Sequence, residues 1–205
     1  MRIRELSVPG AFAVTPRQFA DERGVFLEHY RFEALAEAVG HPLDLRQGNT
    51  SVSRRGVVRG IHYADVPPSQ AKYVTVPHGS IIDFVVDLRV GSPTFGRWDA
   101  VPIDGRERTA VYLAEGLGHC FVALEDDTVV TYLVNQVFAP EREHSVHPLD
   151  PAIGLELPFA PDQLILAPKD AAAPTLAEAV DRGLLPTWSA STELTASLDA
   201  AWRAR

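Results

Sequence analysis

The residues best suited to chemistry lie close together, in Arg55-Gly56-Val57-Val58-Arg59-Gly60-Ile61-His62-Tyr63, with Lys72 following in Ala71-Lys72-Tyr73-Val74. A histidine can take or give a proton near neutral pH, and arginines on the same stretch could hold an anionic ligand. β-branched residues between glycines read as a strand. In plain alternation Arg59 and His62 would point to opposite faces of a sheet. One extra residue at Gly60, a β-bulge, would bring both onto the same face. The competing reading is an edge strand with solvated charges and a core histidine, and this segment alone does not choose between them.

A second chemical signal precedes it. Leu45–Ser53 reads as a strand with Gln47, Asn49, Ser51 and Ser53 on one face. Such a polar ladder suits either a ligand cavity or a solvent-facing strand. The elements needed to position these groups are mostly short strands: Ala11–Val14, Val25–Tyr30, Lys72–Pro77, Ser80–Leu88, Arg97–Ile103, Ala110–Leu113, His119–Leu124 and Thr128–Val134. Turn signals such as Asp21-Glu22-Arg23-Gly24, His78-Gly79 and Asp104-Gly105 separate them. No helix-length crossover lies between the central strands, so the expected fold is mainly antiparallel β, of jelly-roll (double-stranded β-helix) kind. One early helix is expected from Phe32, Leu35, Ala36 and Val39, closed by Gly40.

The chain of 205 residues is read as one domain. Its β-body spans 1–150, and 151–205 is expected to be an irregular, proline-rich wrap with small helices. A capping box at Thr175-Leu176-Ala177-Glu178 starts one helix, and Leu194, Leu198 and Trp202 mark the last, each of roughly two turns. A net charge of −8 argues against a nucleic-acid partner. Cys120 is the only cysteine, which excludes an internal disulfide or a thiolate cluster. The N-terminus lacks the apolar run of a signal peptide and no stretch is long enough to span a membrane, so a cytoplasmic location is expected.

Several motifs together resemble a known family: Phe19-Ala20-Asp21-Glu22-Arg23-Gly24, Gln47-Gly48-Asn49-Thr50-Ser51, the Arg55–Tyr63 strand, Lys72, Val86-Asp87-Leu88-Arg89, Gly91-Ser92-Pro93-Thr94-Phe95-Gly96-Arg97-Trp98, Gly118-His119-Cys120-Phe121 and Lys169-Asp170. They are similar to those of the epimerases of dTDP-4-keto-6-deoxy sugars, the dTDP-4-dehydrorhamnose 3,5-epimerase family, whose fold is cupin-like. Chemically, a 4-keto group acidifies the protons on both neighbouring carbons, so inversion needs a base on one face, a home for enolate charge and an acid on the other.

The resemblance implies His62 as base, with Asp170 orienting it and Asp83 as an alternative orienting carboxylate. It implies Lys72 beside the enolate oxygen and Tyr132 as the acid on the opposite face. His119 matches a further pocket residue. Arg23 and Arg59 match pyrophosphate ligands, Gln47 and Asn49 match contacts to phosphate or sugar, and Phe19, Phe26 and Glu28 match thymine-binding positions, partly supplied across a homodimer. The implied partner is thus a dTDP-sugar, bound by a dimer with shared sites. No cofactor is expected, and no metal, because the chain contains no His-x-His pair.

Two departures stand out. Phe138 occupies a position where relatives commonly carry a second tyrosine, and Gly118-His119-Cys120-Phe121 replaces their usual Ala-His-Gly-Phe. Both suggest the branches that modify sugars for antibiotics; C3, C5 or both stay open as the inverted centre, with C3 favoured over C5. A 3,4-ketoisomerase and a non-catalytic sugar-nucleotide binder remain alternative readings.

Overall fold

A computed structural model describes all residues from 1 to 205. In chain order the elements are β1 (Arg2–Glu5), β2 (Ala11–Thr15), β3 (Gln18–Asp21), β4 (Gly24–Leu27), α1 (Phe32–Val39), β5 (Gln47–Ser53), β6 (Val57–Ala64), β7 (Lys72–His78), β8 (Ser80–Val86) and β9 (Trp98–Asp104). There follow β10 (Ala110–Leu113), β11 (Gly118–Ala123), β12 (Thr128–Val134), β13 (Glu143–Ser145), β14 (Ile165–Leu166), α2 (Pro168–Ala171), α3 (Leu176–Asp181) and α4 (Trp188–Arg203). One sheet runs β1-β2-β10-β7-β12-β5. The other runs β13-β6-β11-β8-β9, with β14 added parallel to β6. These two mainly antiparallel sheets form the expected cupin-like jelly roll.

Strand alternation divides the apolar side chains between two cores. On β8, Ile81 and Val85 join the larger core together with Val74, Val76, Val111 and Val130 of the facing sheet. Phe84 and Val86 point the other way, against Val146, Ile153, Leu176, Ala179 and Leu185 of the tail. The tail therefore packs as a lid on the outer face of the second sheet. On β11, Phe121 and Ala123 belong to the inner core and Cys120 and Val122 to the outer one. By the same period His119 faces inward.

The bulge expected at Gly60 is present. His119 pairs with His62 and Phe121 with Arg59, so three steps on β6 oppose two on β11. Gly60 has φ +146°, and a Cβ there would lie 2.5 Å from the Cβ of Cys120. Only glycine fits this close approach. The consequence is that Val58, Ile61 and Tyr63 all enter the outer core while Arg59 and His62 share the inner face.

The helix signals also hold. α1 ends at Gly40 in the left-handed conformation, φ 106°. Thr175 caps α3 reciprocally with Glu178. Two expectations need correction. The strand read as Val25–Tyr30 stops at Leu27, because Tyr30 turns inward and packs edge-on against Tyr73 at 5.3 Å. The last helix is 16 residues long, not two turns. Thr187 caps its start, and its first residue, Trp188, stacks on the buried Arg89, 4.6 Å from guanidinium carbon to ring centre.

The Gly91–Trp98 motif is structural. Asp87, fully buried, receives hydrogen bonds from Arg89 (2.8 Å to each oxygen), Ser92 (2.6 Å) and Thr94 (2.6 Å). Burial opposes ionisation of that carboxyl, but these four donors prevail and hold its pKa below the ordinary value.

Candidate active site

Between the sheets, at the end where β5, β6, β7 and β12 carry polar residues, lies a cavity of about 430 Å³. His62, Arg59 and His119 reach it from one sheet, and Lys72, Tyr132, Gln47, Asn49 and Ser51 from the other. The two walls touch: the His119 and Tyr132 rings meet edge to face at 5.9 Å. The polar ladder of β5 is thus a cavity wall, except that Ser53 is buried and accepts a hydrogen bond from Arg59 Nε at 3.2 Å.

His62 is held from behind. Its Nε2 lies 2.8 Å from Oδ1 of Asp170, a carboxylate on α2 that is 1% exposed. This leaves Nδ1 as the nitrogen free to take a proton. Asp83 does not reach His62. It lies on β8 and binds His119 Nε2 at 2.6 Å instead, so the alternative orienting role is corrected. Two histidines, each backed by its own buried aspartate, line one wall of the cavity.

Burial pulls the His62 pKa below its ordinary value; Asp170 opposes this, and the positive charges of Lys72 and Lys169 add to it. Burial likewise lowers the Lys72 pKa, against the pull of Glu143 and Asp83. The Tyr132 phenol is pushed well up, chiefly by burial, so it keeps its proton throughout the neutral range. The site therefore pairs a neutral, base-competent imidazole with a protonated phenol and a buried lysine amine. No three His, Cys, Asp or Glu side chains are grouped as ligands for a metal ion.

Comparison with known proteins identifies the family. A family model described as dTDP-4-dehydrorhamnose 3,5-epimerase matches residues 5–178. A dTDP-4-dehydrorhamnose 3,5-epimerase of Mycolicibacterium smegmatis is 54% identical over 189 residues, covering 92% of each chain. The chain belongs to the dTDP-4-dehydrorhamnose 3,5-epimerase family. Among solved structures, NovW, a 4-keto-6-deoxy sugar epimerase from the novobiocin biosynthetic gene cluster of Streptomyces spheroides, is 52% identical with a TM-score of 0.91 and covers 93% of this chain and 95% of its own. ChmJ of Streptomyces bikiniensis, a 3'-monoepimerase solved with dTDP-quinovose, is 46% identical with a TM-score of 0.92, covering 95% and 98%.

Against this family frame, the structure gathers most of the expected residues but not all. His62, Lys72, Tyr132, His119, Arg59, Gln47, Asn49 and Phe138 line the cavity, and Asp170 stands directly behind it. Phe138 is half-exposed at the mouth, and its backbone N–H donates to Gln47 Oε1 at 3.0 Å. Phe19, Arg23, Phe26 and Glu28 are not among the lining residues. They sit on or beside the β3–β4 hairpin, which pairs only with itself. Arg23 is held by Asp21, and Glu28 by Arg31. Thr50, Gln70, Val134 and Glu143 also line the cavity and were not singled out from the sequence. Glu143 had no local signal, because β13 is three residues long and owes its place to pairing with β6.

Proposed function

We propose that the protein inverts C3 of a dTDP-4-keto-6-deoxyhexose, without a metal or other cofactor, in making a deoxysugar for an antibiotic or similar product. The observation that carries this reading is the placement of His62 and Tyr132 on opposite walls of one cavity, with Lys72 in the same space. His62 Nδ1 removes the C3 proton, and the electron pair moves onto O4, where the Lys72 ammonium stabilises the enolate. Tyr132 then delivers its proton to the other face of C3. His62 loses its proton to solvent and Tyr132 regains one, which returns the site to its starting state.

The pyrophosphate belongs with Arg59, whose guanidinium bonds only to Ser53 and the carbonyl of Val52 and so keeps its charge for a ligand. Phe138 supports a single inverted centre, because it brings no hydroxyl to the mouth of the cavity. The exposed hairpin supports a homodimer with shared sites. Phe19 is 50% exposed and Phe26 is 73% exposed on an isolated two-stranded ribbon, an arrangement that needs a covering surface. A partner's cavity mouth would also give Arg23 and Phe26 a ligand to bind.

Solvent exchange tests the reading. In D₂O the protein should place one deuteron at C3 of the substrate, read by proton NMR and mass spectrometry, and His62→Asn should abolish it. A second deuteron at C5 would overturn the single-centre reading, a shifted carbonyl would make the protein a ketoisomerase, and no exchange would sink the epimerase reading.

A further inference from the structure

Lys72 is the first residue of β7, and strand ends are where a sheet opens most readily. Its neighbours stop at the same level. Lys72 pairs with Leu113, the last residue of β10, and with Val134, the last residue of β12. A side chain that meets a substrate from such a position needs its backbone fixed from beyond the ladder.

Side chains supply that fixing. Oδ1 of Asn135 accepts the N–H of Ala71 at 2.8 Å, and the backbone N–H of Asn135 donates to the Ala71 carbonyl at 3.4 Å. These two bonds continue the pairing of β7 with β12 one residue past Lys72. Nδ2 of Asn135 donates in turn to Oε1 of Glu115 at 2.7 Å, and Glu115 is 1% exposed. A carboxylate only accepts and the Ala71 N–H only donates, so a single orientation of the asparagine amide satisfies both. On either side, Ser69 Oγ accepts the Gly116 N–H at 2.9 Å, and Gln70 Nε2 donates to the Gln136 carbonyl at 3.2 Å. Ser69, Gln70 and Ala71 are thus each tied to a residue just past β10 or β12. Gln70 and Lys72 line the main cavity, whereas Asn135 and Glu115 stand outside it.

We propose that Asn135, oriented by Glu115, is a positioning residue that acts through Lys72: it extends the β7 ladder past the strand end and so fixes where the lysine amine meets the enolate oxygen. An apolar side chain at 135 would leave the Ala71 N–H and the buried Glu115 oxygen without their partner. The inference rests on the epimerase reading for its catalytic meaning, but the brace itself can be tested without turnover.

The test compares Asn135→Ala, Asn135→Asp and the double variant Asn135→Asp/Glu115→Gln with the parent. Asn135→Asp sets two carboxylates against each other, and the double variant restores the bond with the donor moved to position 115. NMR hydrogen exchange should show the Ala71 amide losing protection in both single variants and regaining it in the double one. In parallel, kcat for deuterium incorporation should fall by about 10- to 100-fold in the single variants, the scale of a displacement near 1 Å, and recover in the double variant. Affinity for dTDP should stay near that of the parent throughout. Added to Lys72→Met, Asn135→Ala should cost little more, because its effect passes through the amine. An unchanged kcat in both single variants overturns the inference, as does a full further loss in the Lys72→Met background or a loss of dTDP affinity in step with kcat. If Asn135→Ala fails to fold, the swap decides: a double variant as slow as Asn135→Asp overturns the inference. No deuterium incorporation by the parent, with Ala71 still deprotected by Asn135→Ala, leaves the brace standing and removes the epimerase reading instead.

Discussion

Replacing Asp170 with asparagine keeps the volume and removes one charge, which isolates what the carboxylate does for His62. The carboxyl is 1% exposed and stands 2.8 Å from His62 Nε2. A carboxylate only accepts hydrogen bonds, so it keeps the hydrogen on Nε2 and turns the Nδ1 lone pair to the cavity. An asparagine can present its NH₂ group instead, which selects the opposite tautomer. The carboxylate also opposes the lowering of the His62 pKa by burial, more than any other neighbour does. The variant therefore holds a weaker base, part of it in the wrong tautomer. We expect kcat for exchange to drop by about 10²–10⁴, roughly 3–5 kcal/mol in the barrier. The pH profile carries an independent sign. His62 must be neutral to accept a proton, and its pKa lies below the ordinary 6.5, so the acid limb of the parent falls below pH 6.5. Without Asp170 that pKa falls further, and the acid limb should move to still lower pH while the plateau drops. The assay is deuterium incorporation across pH, with dTDP affinity and thermal melting as controls for the fold. An undiminished plateau, or an acid limb displaced upward, would refute the pairing of Asp170 with a catalytic His62.

Tyr132→Phe should still wash deuterium into the sugar, because His62 and Lys72 remain, but it should lose most of the inverted product by NMR; unaltered inversion would remove Tyr132 as the acid. Phe138→Tyr restores a hydroxyl at the cavity mouth and should add exchange at C5, and a variant that exchanges only at C3 would make the phenylalanine neutral. Light scattering at micromolar protein should give twice the 22.4 kDa chain mass. Phe26→Asp should reduce both the dimer fraction and dTDP affinity, whereas a fully active monomer would dispose of the shared site.

Much of the β-body was legible because alternation and turn residues are local signals. β10 and β12 fall where the sequence puts them, and the other central strands agree to within two residues. The capping box at Thr175 and the terminator Gly40 are equally local, each a matter of side chains within a few residues. The Gly60 bulge was one of two readings the sequence left open, since two chemical residues three apart on a strand can share a face only if one residue is added, and the pairing of β6 with β11 settled it. The end of β4 was misjudged because it is set by a distant contact, Tyr30 on Tyr73. The length of α4 was misjudged because Arg89 and Trp188 are almost one hundred residues apart in the sequence.

The sequence by itself determined the kind of fold and the family, and for Arg59 and His62 it offered a shared face as one of two readings. Each of these rests on the order and spacing of neighbouring residues. The tertiary structure alone decided which aspartate serves which histidine. Asp83 and Asp170 are both buried acids, and the choice depends on β8 pairing with β11 while α2 packs behind β6. It alone brought Glu143 to the cavity, since a three-residue strand has no propensity of its own and exists only by pairing with β6. It alone parted Arg23 from Arg59, because Arg23 lies on a hairpin that pairs only with itself while Arg59 lies on a strand of the cavity wall. Charge and hydrogen-bond partners act over a few ångströms in space, and sequence distance places no limit on which groups meet.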